Sequence, residues 1–248
     1  TGVQTCALPI SEEEILEAGV QPEKAKDLMR MKLKFAFGKI SHPSELLDHC
    51  NVGTNKQEIR NGVYIHRLAL NLFEISYKDE TVKVDLNLQP FENYEAPYPL
   101  GSHLVNREYF AVIHSGQGDG WDINRPSMGS VLMYQGQIYL VDAGPNLEKT
   151  LHSLGIGISE VEGVFHTHCH DDHFAGLTTI IRSDHRVKYF ATPLVRASVS
   201  KKLAALLSYD EANFGDYFDV QDLEEGMWNS VNGLEVKPIF SPHPVETS

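Results

Sequence analysis

Three histidines and two aspartates fall within six residues of this chain, in Thr167-His168-Cys169-His170-Asp171-Asp172-His173, followed by Phe174-Ala175-Gly176. A packed core does not accommodate so many ionisable groups, and a solvated loop has no need of them. Histidines two apart, on an extended segment ending in a tight turn, aim two imidazoles at one cation. Asp172 and His173, past the turn, reach a second cation a few ångströms away. Imidazole and carboxylate donors without a useful thiolate suit Zn²⁺, with Fe or Mn as substitutes. The flanks agree with this. Gly163-Val164-Phe165-His166 reads as a short buried strand delivering the loop. Phe174-Ala175-Gly176-Leu177-Thr178-Thr179-Ile180-Ile181 starts a helix with small residues where the backbone must come close to the loop.

A strand, a metal loop and a helix in that order resemble the metallo-β-lactamase superfamily, whose signature H-x-H-x-D-H is complete here. Two further segments match in order and spacing. Gln137-Ile138-Tyr139-Leu140-Val141-Asp142-Ala143-Gly144 is similar to the family's strand ending in a carboxylate beneath the metals. Phe240-Ser241-Pro242-His243-Pro244-Val245-Glu246-Thr247 is similar to the later strand end with a single metal-binding histidine. The resemblance runs from Val63 to the end of the sequence. It implies an α+β chain with the metallo-β-lactamase αββα sandwich, incomplete here and preceded by a small helical region. It also implies that His168, His170 and His243 hold a first zinc, and Asp172 and His173 a second. Asp172 would also orient the nucleophile, a metal-bound hydroxide. Such a pair of dications, about 3.5–4 Å apart, acidifies a shared water. Asp142 would stand behind the metals and fix the tautomer of a ligand histidine. Cys169 occupies a variable position and is read as filler.

Bulk properties narrow the partners. With 248 residues, 42% apolar and 22% charged, the chain has the composition of an ordinary globular protein with a sizeable core. A formal charge of −13 argues against nucleic acid and for a small-molecule substrate. No run has the length of a membrane-spanning helix or the layout of a secretion signal. Cys6, Cys50 and Cys169 are odd in number and widely spaced, which points to a reducing, cytoplasmic setting. Residues 1–10 resemble the conceptual translation of a sequencing adapter and are set aside. The family's bridging carboxylate and last histidine have no place before Ser248, so a fragment of a longer protein, truncated at its C-terminus, is expected.

The expected organisation is a non-native stretch at 1–10, a helical region and linker at 11–60, and the metallo-β-lactamase-like domain at 61–248. Ser11 with Glu14 makes a capping box, and Gly19 closes that helix. Pro22 opens a second helix, stopped by Gly38, with Leu28, Met31, Leu33 and Phe35 as core contacts. Pro43 begins a third, and 51–61 reads as a polar loop. Val82, Val84, Leu86 and Leu88 alternate with polar residues, which signals a strand with one buried face. The run 64–77 pairs with it across Lys78-Asp79-Glu80. Strands follow at 109–114, 131–134, 137–142, 163–167, 187–191 and 234–240, with helices at 147–154, after the motif and at 193–207. His166 reads as a buried neighbour of the site, and His152 and His185 as surface residues. His114 precedes Ser115-Gly116-Gln117-Gly118-Asp119-Gly120-Trp121, either a mobile flap at the active-site mouth or a plain wide turn.

Superfamily members cleave lactams, lactones, thioesters and phosphodiesters, so the fold does not name the substrate. A dinuclear zinc hydrolase acting on an ester, thioester, lactone or phosphodiester is the leading expectation. His170, where flavodiiron proteins commonly have Glu, favours hydrolysis, and His243-Pro244-Val245-Glu246-Thr247 is faintly similar to the phosphodiesterase and nuclease branch. The alternatives are a diiron oxygen-binding sensor of the same fold, or a fragment inactive through an incomplete site.

Overall fold

Helix formation in the N-terminal region follows its caps. Three glutamates fill the first turn of α1 (Glu12–Glu17), where they complement the helix dipole. Pro22 opens α2 (Pro22–Phe37), and Gly38, at φ 71°, ends it by donating its N–H to the Lys34 carbonyl at 2.9 Å. The computed structural model describes residues 12–41, 45, 52–92, 95–207, 209–243 and 245–247. The expected cap Ser11, the start of the third helix at Pro43, and Cys6 and Cys50 lie outside them. The chain divides into two compact units, residues 41–95 and the remainder.

The smaller unit is a four-stranded antiparallel meander: β1 (Gln57–Arg60), β2 (Val63–Ala69), β3 (Leu72–Tyr77) and β4 (Glu80–Asp85). Three expectations change here. The polar stretch 51–61 contains an edge strand, β1, which pairs through its backbone across a turn at Asn61 and Gly62, both at positive φ. The run 64–77 is two strands, turning at Asn71, also at positive φ. Val82, Leu86 and Leu88 are exposed, and the strand ends before the two leucines. Alternation here marks neither a buried face nor, beyond Asp85, a strand.

The larger unit is organised by a six-stranded mixed sheet. Its strands are β5 (Phe110–Gly116), β6 (Gly129–Tyr134), β7 (Gln137–Val141), β8 (Val161–Phe165), β9 (Val187–Ala191) and β10 (Phe218–Asp222), in spatial order β10-β9-β8-β7-β6-β5. The β6–β7 hairpin turns at Gln135-Gly136, both at positive φ, as a two-residue turn between twisted strands requires. From β7 to β10 the strands are parallel. The crossovers carry α3 (Leu147–Ser153), then α4 (Asp171–Phe174) and α5 (Leu177–Ile180), then α6 (Pro193–Leu207) and α7 (Phe214–Tyr217). The expected helix after the motif is thus two single turns, because the α4 backbone bends where Gly176 donates to the Ala143 carbonyl at 2.8 Å.

Alternation along the strands builds two apolar layers. Val131, Met133, Ile138, Leu140, Val164 and Tyr189 pack with the helices, and Cys169 is buried among them. Leu132, Tyr139 and Phe190 face the other way, onto Leu223 and the hairpin of β11 (Asn229–Val231) and β12 (Leu234–Val236). Each such side chain, fully buried, contributes roughly 1.5–3 kcal/mol. The strand expected over 234–240 therefore ends at Val236, where its hairpin partner ends. The α1–α2 pair packs Ile15, Ala25 and Leu28 on Leu194 of α6, with Phe240 alongside. Among the described residues, no helix is long and apolar enough to cross a membrane.

Candidate metal centre

The carboxyl ends of β7 and β8 lie side by side, and each releases a functional segment. At the end of β7, Asp142 sits in the left-handed region, at φ 65°, an unusual conformation for a residue other than glycine. Its N–H donates to the Phe165 carbonyl at 2.8 Å, which ties it to the end of β8. The buried carboxylate then organises the loop. Oδ1 accepts from the Thr167 N–H at 2.8 Å, and Oδ2 accepts from Thr167 Oγ1 at 2.7 Å and from His173 Nδ1 at 2.8 Å. Thr167 Oγ1, having given its proton to Asp142, can only accept from His168 Nδ1, 2.9 Å away. One carboxylate thereby leaves the Nε2 lone pair of His168 open to the site and turns the Nε2 of His173 toward Asp172.

Close backbone packing completes the frame. The Ala143 N–H donates to the His173 carbonyl at 2.7 Å. A Cβ on Gly176 would collide with the Gly144 carbonyl oxygen, so the small residues in both segments are a steric requirement. From α6, Lys202 donates to the Cys169 carbonyl at 2.7 Å and pairs with Asp171 at 2.6 Å. Asp171 thus turns toward Lys202, whereas Asp172 Oδ2 lies 3.2 Å from His173 Nε2. Thr167 and Lys202 have no signature in spacing that would single them out from sequence.

His243 arrives from beyond β12. Donor atoms of His168, His170 and His243 all lie within 4.8 Å of one another, as do those of Asp142, His168 and His173. His243 Nε2 is 2.9 Å from His170 Nδ1, while His170 Nε2 is buried without a hydrogen-bond partner among the described residues. Burial, with four neighbouring imidazoles, holds His168 down to about 2. Burial and His243 lower His170 to about 4, and burial with His173 lowers His243. These are therefore neutral imidazoles, the form in which histidine binds a metal. Burial opposes charge on His173, but the carboxylates of Asp142 and Asp172 outweigh it and push it up to about 9. Burial would raise Asp172, but the His173 hydrogen bond, together with the charges of His173 and His170, outweighs it and lowers the carboxyl, keeping it ionised. Close, neutral, inward-facing nitrogens beside a carboxylate fit a divalent transition metal. His166 belongs to neither group of donors. It is fully buried, its ring 5.7 Å from that of Tyr189, and it has a backbone hydrogen bond with His168.

The site opens into a cleft of about 720 Å³, walled by His114, Asp119, Trp121, Met128 and the histidines. Residues 110–248 match the family model described as Anti-Pycsar protein Apyc1. The chain belongs to that family. Among solved structures it is similar to the metallo-β-lactamase fold protein YhfI from Bacillus subtilis (16% identity, 55% of this chain and 54% of that one, TM-score 0.44). Over 198 residues it is 25% identical to the cAMP/cGMP-dependent 3′,5′-cAMP/cGMP phosphodiesterase B of Dictyostelium discoideum, covering 78% of this chain and 17% of that protein. Over 128 residues it is 26% identical to ribonuclease Z of Archaeoglobus fulgidus, covering 50% and 41%. The chain thus spans less than half the length of either relative.

Proposed function

We propose that this chain carries the catalytic centre of a metal-dependent phosphodiesterase acting on a cyclic nucleotide. The observation behind the reading is the convergence of His168, His170 and His243 next to the His173–Asp172 pair. In this reading His168, His170 and His243 hold one zinc, and Asp172 and His173 a second. Asp142 stays behind them, because both its oxygens are already taken by Thr167 and His173. Bound there, divalent cations supply Lewis acidity toward a phosphoryl oxygen and acidify a water. Asp172 accepts the proton of the attacking water at its carboxylate, which is ionised and faces the cleft. His173 is held by Asp142 so that its Nε2 stays directed at Asp172.

Three considerations choose a cyclic nucleotide among the hydrolysable substrates. The names of both relatives denote phosphodiester cleavage. A cleft of about 720 Å³ falls within the roughly 300–1,000 Å³ that enclose a small ligand. A cyclic mononucleotide presents a single negative charge to a chain of net charge −13, whereas a polynucleotide presents many. The ribonuclease Z likeness supports a second reading, with RNA as substrate. The purified chain, loaded with Zn²⁺ or Mn²⁺, should convert 3′,5′-cAMP or 3′,5′-cGMP to the mononucleotide and leave a precursor tRNA intact. Cleavage of the RNA with no turnover of either cyclic nucleotide would reverse the choice.

A further inference from the structure

A lysine and a glutamate far apart in sequence meet in the interior, behind the metal-binding face. Lys32, on α2, pairs through Nζ with Glu246 Oε1, and their side chains are 2% and 1% exposed. The other carboxylate oxygen, Oε2, accepts from Ser198 Oγ of α6 at 2.5 Å. Glu246 lies three residues after His243. The residues on either side of them are tied together, since Thr247 Oγ1 donates to the Ser241 carbonyl at 2.6 Å, and Val245 is buried. Thr247 also forms an isolated antiparallel bridge with His168. His243 therefore lines the cleft on one side of a short loop, while Glu246 anchors the other side to two helices.

A buried ion pair is a poor source of stability, since desolvation cancels most of its attraction and an apolar pair of similar volume does as well. What it supplies is a unique geometry. A carboxylate bonded through both oxygens has one place to sit, and the three-residue link then fixes where His243 reaches His168 and His170. We propose that Lys32 is a positioning residue for the metal centre. Helix α2, which lies outside residues 110–248 matched by the family model, is then a working part of the site. The proposal rests on the metal-binding reading above.

The test measures Zn²⁺ affinity of the metal-free protein by competition with a chromophoric chelator, alongside its thermal midpoint. Lys32→Met should bind Zn²⁺ about 10–100-fold more weakly, the range found when a residue supporting a metal ligand is removed. Lys32→Arg should recover most of that loss. The double variant Lys32→Met/Glu246→Leu should regain the thermal midpoint of the wild type but not its affinity, which separates positioning from stability. If Lys32→Met does not fold, the arginine and double variants carry the comparison. A double variant with wild-type affinity would show that the pair serves stability alone and would overturn the proposal. A wild-type chain that holds no Zn²⁺ would instead overturn the metal reading on which it rests.

Discussion

The two segments that bring histidines to the cleft are held in different ways. The loop from Thr167 to His173 is fixed locally, by one carboxylate at the end of the neighbouring strand and by backbone hydrogen bonds a few residues away. The described residues between Ser241 and Thr247 have little regular structure of their own. They are placed by a buried ion pair to a helix more than two hundred residues earlier. Local fixation depends on close backbone approach and a single acceptor. Remote fixation depends on two helices being docked first. The first segment should therefore fail abruptly when its carboxylate is altered, and the second gradually as its anchors are loosened.

The largest effect is expected at His168, the residue common to both groups of donors. His168→Ala should abolish metal binding and turnover together, measured by metal analysis of the purified protein and by cyclic-nucleotide hydrolysis. Asp142→Ala comes next. It strands the Thr167 N–H, the Thr167 hydroxyl and His173 Nδ1 in a buried setting. Breaking such a buried charged network costs about 3–5 kcal/mol, which thermal unfolding would register as a lowered midpoint. An unchanged midpoint would show that the loop is held by something other than Asp142. Asp172→Ala should keep one metal on the three histidines while losing most turnover, because its carboxylate faces the cleft and is not among the donors of that group of three. Near-normal turnover would exclude its role as proton acceptor. The smallest effect is expected in the separate four-stranded sheet. Val82→Thr on its exposed face should change stability by less than about 0.5 kcal/mol, as surface substitutions usually do.

The same contrast explains what could be read from the sequence. The H-x-H-x-D-H loop, the Asp142 strand and the His243 segment were legible because a metal-binding loop needs particular residue types at fixed spacing. Strands β6, β7 and β9 were legible as short apolar runs, because both faces of that part of the sheet are covered. Other features left no such trace. Strand β1 pairs through its backbone alone and buries no side chain, so its polar residues look like a loop. Val82, Leu86 and Leu88 show the reverse, a strand-like period without burial. Lys32 reads as a solvated helix residue, since a lysine is almost never fully buried without a partner and Glu246 is too distant in sequence to suggest itself. Thr167 lies inside the recognised motif, but its role as a relay between Asp142 and His168 depends on the direction of one hydroxyl bond.

The convergence of His243 with His168 and His170 is the claim on which the functional reading depends. Its most direct test is a Co²⁺ titration of the metal-free chain, comparing the wild type with His243→Ala. The wild type should take up at least one equivalent and develop the visible absorption of low-symmetry, four-coordinate cobalt, and His243→Ala should lose both the intensity and most of the affinity. Equal affinity and an unchanged spectrum in His243→Ala would place the ion elsewhere and contradict the three-histidine centre.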